Sequence, residues 1–153
     1  MVTKEEVFEA QKKWADGIIK IGSLRSDPEQ CKEAAETMIK ELYAYEIGNV
    51  LFKPTKATQI QFRISMEGAR SYFIGGDKYF EEDQGFALQP WKKIRFVNAG
   101  LILEVDRALA MGNYFFTNQE GDETKVEYTF GYIKDTGGNL KIDLHHSSLP
   151  YTG

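Results

Sequence analysis

Two short polar stretches, "NQEGDE" at 118–123 and "DTGGN" at 135–139, constrain the fold of this chain more than any other feature. Both are rich in Gly, Asn and Asp, the residues that tolerate the backbone of a tight hairpin. They require the segments on either side to run antiparallel. "RALAMGNYFFT" (107–117), "TKVEYTFGYIK" (124–134) and "LKIDLHHSS" (140–148) are therefore successive strands of one sheet. "WKKIRFVNAG" (91–100) reads as an earlier strand, and "LILEV" (101–105) as a separate one after a glycine turn. Gly112 and Gly131 fall inside strands, where a glycine marks a bend or a bulge of the kind a strongly curved sheet needs.

The first part of the chain has the other periodicity. Residues 3–47 read as helix, in two pieces. Thr3 followed by Glu6 forms a capping box, and Val7, Trp14, Ile18 and Ile21 recur at helical spacing. Gly22 and Ser23 break the pattern. Asp27 and Pro28 restart it, and Ala34, Ala35, Met38, Leu42 and Tyr45 make a second stripe, with Gly48 as the expected stop. Between the halves, "LFKPTKATQIQF" reads as a loop leading into a short strand at Gln59–Arg63, "SMEGARSYFIGG" as a short helix ended by Gly75-Gly76, and "DKYFEEDQGFALQP" as a structured loop. Helices first and antiparallel strands afterwards define an α+β fold, in which N-terminal helices pack on one face of a curved sheet. At 153 residues the expectation is a single domain spanning 1–153.

Composition narrows the function classes. A net charge of −4 argues against a nucleic-acid binder or an anionic-membrane binder, because phosphate contact needs a basic surface. One cysteine, Cys31, excludes an intrachain disulfide and any Cys-based zinc cluster, and suits a reducing compartment. No apolar run approaches a membrane span, and the charged, helical "MVTKEEVFEAQKKW" is not a signal peptide. Cytoplasm or plastid stroma is the expected location. The ten Phe, eight Tyr and two Trp are more aromatic residues than one small core needs. Tyr114, Phe116, Tyr128, Phe130 and Tyr132 lie in strands, and this excess points to a pocket or a subunit interface.

The only two histidines stand side by side in "HHSS". On a regular strand Leu140, Ile142, Leu144, His146 and Ser148 share one face, whereas Lys141, Asp143, His145 and Ser147 share the other. The two imidazoles then diverge and cannot ligate one metal from a regular strand. Simple alternation puts Ser148 inward with the leucines, while a bulge near the histidines would turn Ser147 inward instead. There is no GxSxG elbow, and the glycines of "GARSYFIGG" lack phosphate-loop spacing. By pattern, Tyr72 is a core aromatic and Thr55 a loop residue.

The stretches "LFKPTKA", "FR", "EGARSYFIGG", "GFALQPW", "ALAMGNYFF", "VEYTFGY" and "LHHSSLPY", in this order from Leu51 to Tyr151, resemble the iota-class carbonic anhydrases. The whole chain is similar to the cone-shaped fold of nuclear transport factor 2-like (NTF2-like, SnoaL-like) proteins. The resemblance implies a carbonate dehydratase (a lyase) for the reversible hydration of CO2 to bicarbonate and a proton, metal-free, with zinc or manganese as the alternative. It implies Thr55, Tyr72 and Ser147 around substrate and water. His145 is the expected base or proton relay, since its intrinsic pKa is about 6.5. Phe52 and Phe73 would supply an apolar pocket wall, and His146 and Ser148 are the substrate-pocket candidates in the other strand register. A homodimer through the sheet is expected. The competing readings are a non-catalytic assembly or binding module like the calmodulin-kinase association domains, and a cone-fold isomerase. The isomerase is weakened because Glu104, Asp106 and Glu127 read as exposed or turn-located.

Overall fold

The computed structural model describes all residues from Met1 to Gly153. Helix α1 (Lys4–Ser23) begins at the Thr3–Glu6 capping box, in which each side chain bonds the other residue's backbone N–H. Helix α2 (Pro28–Leu42) begins at Asp27, whose carboxylate accepts the Gln30 N–H. Strand β1 (Leu51–Lys53) and helix α3 (Met66–Ile74) follow, and two single 3-10 turns (Lys78–Phe80 and Phe86–Leu88) lead to the main sheet. That sheet adds β2 (Lys93–Leu103), β3 (Arg107–Thr117), β4 (Glu123–Lys134) and β5 (Leu140–Ser148). The strand order is β1-β5-β4-β3-β2, antiparallel throughout except for β1, which runs parallel to β5. One hydrophobic core lies between the helices and the inner sheet face, and it includes all five strand aromatics from Tyr114 to Tyr132.

Three local features differ from the sequence reading. First, α2 stops at Leu42, well before Gly48, because Tyr43 turns extended and Ala44 N–H bonds to Ile142 O, drawing the chain onto the sheet. Second, the short strand is Leu51–Lys53, not Gln59–Arg63. The N–H groups of Thr58, Gln59 and Ile60 go to the Glu82 carboxylate, so that segment forms no ladder. Third, "LILEV" does not start a new strand. β2 runs on through a bulge between Asn98 and Gly100. Opposite it, a Cβ on Gly112 would sit 2.1 Å from the Val97 carbonyl oxygen, so only glycine permits this close approach.

A second register shift, between Gly131 and Tyr132, determines what β5 presents. Ile142 pairs with Tyr132 and Leu144 with Gly131, leaving Asp143 as the extra residue. Beyond a one-residue bulge every side chain changes face. His145 and Ser147 therefore join Ile142 in the core, at 2% and 1% exposure. His146 is exposed and Ser148 half-buried. No helix is long and apolar enough to cross a membrane.

Candidate active site

The parallel pairing of β1 with β5 sets Phe52 opposite His145 and Lys53 opposite His146. Two residues past the end of β1, Thr55 reaches the same level as Ser147, and their hydroxyl oxygens stand 2.5 Å apart. Lys53 Nζ donates to the Ser147 carbonyl oxygen at 3.0 Å and holds the strand end in place. Tyr72 arrives from α3, which is capped by Ser65 and ended by Gly75 at φ +70°. Its hydroxyl accepts the Lys56 N–H at 3.2 Å. Burial pushes the Tyr72 phenol up, well out of the physiological range, opposed by the Lys56 N–H and the Thr55 hydroxyl. Three hydroxyls from three separate segments thus meet at one point.

Behind them runs a buried polar chain. Tyr114 donates to Ser147 Oγ at 2.6 Å, and its oxygen lies 3.1 Å from His145 Nε2. His145 Nδ1 lies 2.8 Å from the Tyr43 hydroxyl, which accepts the Trp14 indole N–H at 3.0 Å. Burial raises the Tyr43 and Tyr114 phenols and drives His145 well below 6.5, so the imidazole is neutral. His145 is also enclosed by rings: Phe52 stacks on it at 4.7 Å and Phe130 at 4.1 Å.

In front, a cleft of about 490 Å³ opens over Tyr72, walled by Phe86 and Leu88 and edged by Lys56, Gln84 and Gln89. Phe86 stacks on Tyr72 with ring centroids 5.5 Å apart. The rim is pinned from below. Arg63, with a wholly buried side chain, grips Asp83 through bonds of 2.6 and 2.7 Å, and its guanidinium lies 5.8 Å from the Tyr72 ring centroid. Asp83 also accepts the Ser71 hydroxyl. Glu82 accepts N–H groups from Thr58, Ile60 and Gln59, which lower it to about 2, so it is a carboxylate with no capacity as a base near neutral pH.

The residues expected in the site separate into groups. Thr55, Tyr72 and Ser147 come together. His145 lies one hydroxyl behind Ser147, without access to the cleft. Phe52 and Phe73 are fully buried behind Tyr72 rather than lining the cleft, because β1 and α3 turn them toward the core. His146 and Ser148 are on the outer sheet face, where Ser148 donates to Glu127. The register shift at Asp143 removes both from the inner cluster. No three His, Cys, Asp or Glu side chains form a group able to hold a metal ion.

Residues 5–149 match the sequence model of the family described as metal-independent carbonic anhydrase. The chain belongs to that family. The metal-independent carbonic anhydrase of Nostoc sp. (strain PCC 7120 / SAG 25.82 / UTEX 2576) is 41% identical over 153 residues, covering 98% of this chain and 75% of that protein. The crystal structure of a cyanobacterial iota-carbonic anhydrase complexed with bicarbonate superposes with a TM-score of 0.95 at 40% identity, over 99% of this chain and 94% of that one. A structure from Xanthomonas campestris, described as a calcium/calmodulin-dependent protein kinase II association domain, reaches 0.66 at 23% identity over 100% and 91% of the two chains, a likeness of fold alone. The fold is the NTF2-like one. The metal-independent family accords with a site built from hydroxyls.

Four members of this carbonic anhydrase's polar and aromatic surround carried no individual signal in the sequence: Tyr43, Trp14, Tyr114 and Phe86. Tyr114 and Trp14 sit in apolar stripes as core aromatics would. Only the surplus of tyrosines hinted that some hydroxyls must be engaged inside. Tyr43 lay in a segment expected to be helical, and Phe86 in one expected to be a loop.

Proposed function

We propose that this metal-independent carbonic anhydrase interconverts CO2 and bicarbonate at the junction of Thr55, Tyr72 and Ser147. The observation that carries this assignment is the convergence of those three hydroxyls beside one cleft. Phe86 and Leu88 give the apolar wall that CO2 prefers. The hydroxyls hold a water against the CO2 carbon, and their O–H groups stabilise the charge that develops on its oxygens as the C–O bond forms. The proton lost from water leaves through the cleft to solvent. Lys56, on the cleft edge, attracts the bicarbonate anion in the reverse direction. His145 orients Tyr114 rather than taking up the proton. Support for this role comes from its burial, its low pKa and the engagement of both ring nitrogens. We further propose a homodimer in which a second copy covers the outer sheet face, where Val97 and Met111 are exposed.

The test is a stopped-flow CO2 hydration assay on chelator-treated protein, with metal content measured on the same sample. A rate above the buffer blank without metal is expected. Activity appearing only on adding Zn²⁺ or Mn²⁺ would overturn the metal-free mechanism, and no activity in either state would return the chain to the assembly-module reading.

A further inference from the structure

We propose that Tyr43, which does not line the cleft, is a positioning residue that fixes the direction of the hydrogen bonds running from His145 through Tyr114 to Ser147. The proposal deepens the carbonic anhydrase reading and rests on it only for its kinetic consequence.

Donors and acceptors can be counted along the chain. The Tyr43 hydroxyl has two partners, the Trp14 indole nitrogen at 3.0 Å and His145 Nδ1 at 2.8 Å. The indole nitrogen is a donor only, so Tyr43 accepts there. If Nδ1 also carried a proton, Tyr43 would accept twice and its own hydrogen would point at no acceptor in a fully buried place. Every buried polar side-chain atom in this protein has a partner. Tyr43 therefore donates to Nδ1, and the imidazole proton sits on Nε2. From there the direction propagates. Nε2–H donates to the Tyr114 oxygen, and Tyr114 donates to Ser147 Oγ. Ser147 thus accepts from Tyr114, and beyond it stands Thr55 Oγ1 at 2.5 Å, a contact in which either hydroxyl can donate. The Tyr72 oxygen accepts the Lys56 N–H, so its own hydrogen is free for the cleft it lines.

The chain thus begins at an indole that can only donate and runs donor to acceptor as far as Ser147, beside the Tyr72 O–H that faces the cleft. That polarity suits the stabilisation of negative charge on bicarbonate oxygens. It also makes His145 unable to accept a proton arriving through Tyr114, since the nitrogen facing Tyr114 is the protonated one. Reversed, the same chain would offer lone pairs to the substrate instead.

The test reads the tautomer directly. Protein labelled with ¹⁵N at histidine is examined near neutral pH by long-range ¹H–¹⁵N correlation, with exposed His146 as the second, distinguishable ring. The expected result is a single neutral His145 tautomer protonated at Nε2. An Nδ1–H tautomer or an imidazolium in the unaltered protein would overturn the proposal, whatever the enzyme assay gives. Tyr43→Phe should abolish the single tautomer and lower the CO2 hydration kcat about tenfold or more, the scale of a misoriented catalytic group. Trp14→Phe removes the indole N–H but leaves Tyr43 free to donate, so it should keep the Nε2–H tautomer. If Tyr43→Phe is folded by circular dichroism and keeps both the tautomer and the rate, Tyr43 is only a core residue. An inactive unaltered protein with the Nε2–H tautomer would overturn the reaction assignment and leave the polarity standing.

Discussion

The Thr55 and Ser147 hydroxyl oxygens stand 2.5 Å apart although 92 positions separate them along the chain. The contact exists because a three-residue strand, β1, pairs parallel with β5 and ends just short of Thr55. The proposed chemistry depends on that short pairing, and it can be tested one hydroxyl at a time.

Ser147→Ala and Thr55→Val should each lower CO2 hydration by about 10²-fold, the usual loss for one donor to a developing oxyanion. Ser148→Ala should leave the rate within about twofold, because a hydroxyl on the outer sheet face directed at Glu127 takes no part in transition-state binding. Stopped-flow kinetics on the three variants decides the matter. A damaging Ser148→Ala with a harmless Ser147→Ala would mean that β5 presents its other face.

Tyr72→Phe separates packing from chemistry. The ring keeps its stack on Phe86 and its edge contact with Phe52, so the thermal midpoint should move by only a few degrees, about what the loss of one hydrogen bond gives. The rate should fall by about ten- to a hundredfold, because the hydroxyl facing the cleft is gone. A rate unchanged in a folded variant would remove Tyr72 from the mechanism.

His145 makes stability depend on pH in a definite direction. Burial drives its folded-state pKa well below 6.5, whereas the unfolded chain takes up the proton near 6.5. Between those two values the unfolded state holds more protons, so stability falls as pH falls. The slope is at most about 1.4 kcal/mol per pH unit for one proton. Above 6.5 the group adds no slope. Glu82, held at about 2, acts in the same direction but in a lower window, between its unfolded value and about 2. Urea unfolding at several pH values from about 7.5 to 5 should show the decline in the unaltered protein and a flatter line in His145→Gln. Equal slopes in both would mean that His145 charges freely in the folded state.

The Arg63–Asp83 pair should be costly to break from one side only. Arg63→Met leaves a carboxylate that is only 2% exposed without its partner, a loss of about 3–5 kcal/mol. Asp83→Asn keeps an acceptor for Ser71 but removes the charge that the guanidinium grips, leaving it Glu82 at 3.8 Å and the Ile60 and Gly68 carbonyls. The double variant should be less destabilised than the sum of the two, measured as a double-mutant cycle in urea. Additive losses would show that the two side chains do not depend on each other.

Much of the architecture is legible in the residues alone. The Thr3 and Asp27 caps, the apolar stripes of both helices and the hairpins at 118–123 and 135–139 act over a few residues, and the fold preserves them. The ordered motif set pointed to Thr55, Tyr72 and Ser147, and these do converge. Less legible were the ends of elements. Tyr43 leaves its helix early because the bond from Ala44 N–H to the Ile142 carbonyl competes with another helical turn, and its two ends are 98 positions apart in the chain.

By itself, then, the sequence determined the two N-terminal helices, the hairpin-linked strands and their order, and the family resemblance singled out Thr55, Tyr72 and a serine of "HHSS". The tertiary structure decided which face of β5 turns inward, since the unpaired Asp143 inverts the alternation and brings His145 and Ser147 into the core. It also decided the state of His145, an imidazole that composition would class as a base. Enclosed by Phe52 and Phe130 and held between two tyrosine hydroxyls, it stays neutral because a buried charge there would have no partner. Register shifts and burial arise from contacts between distant segments, and no local pattern in the chain encodes them.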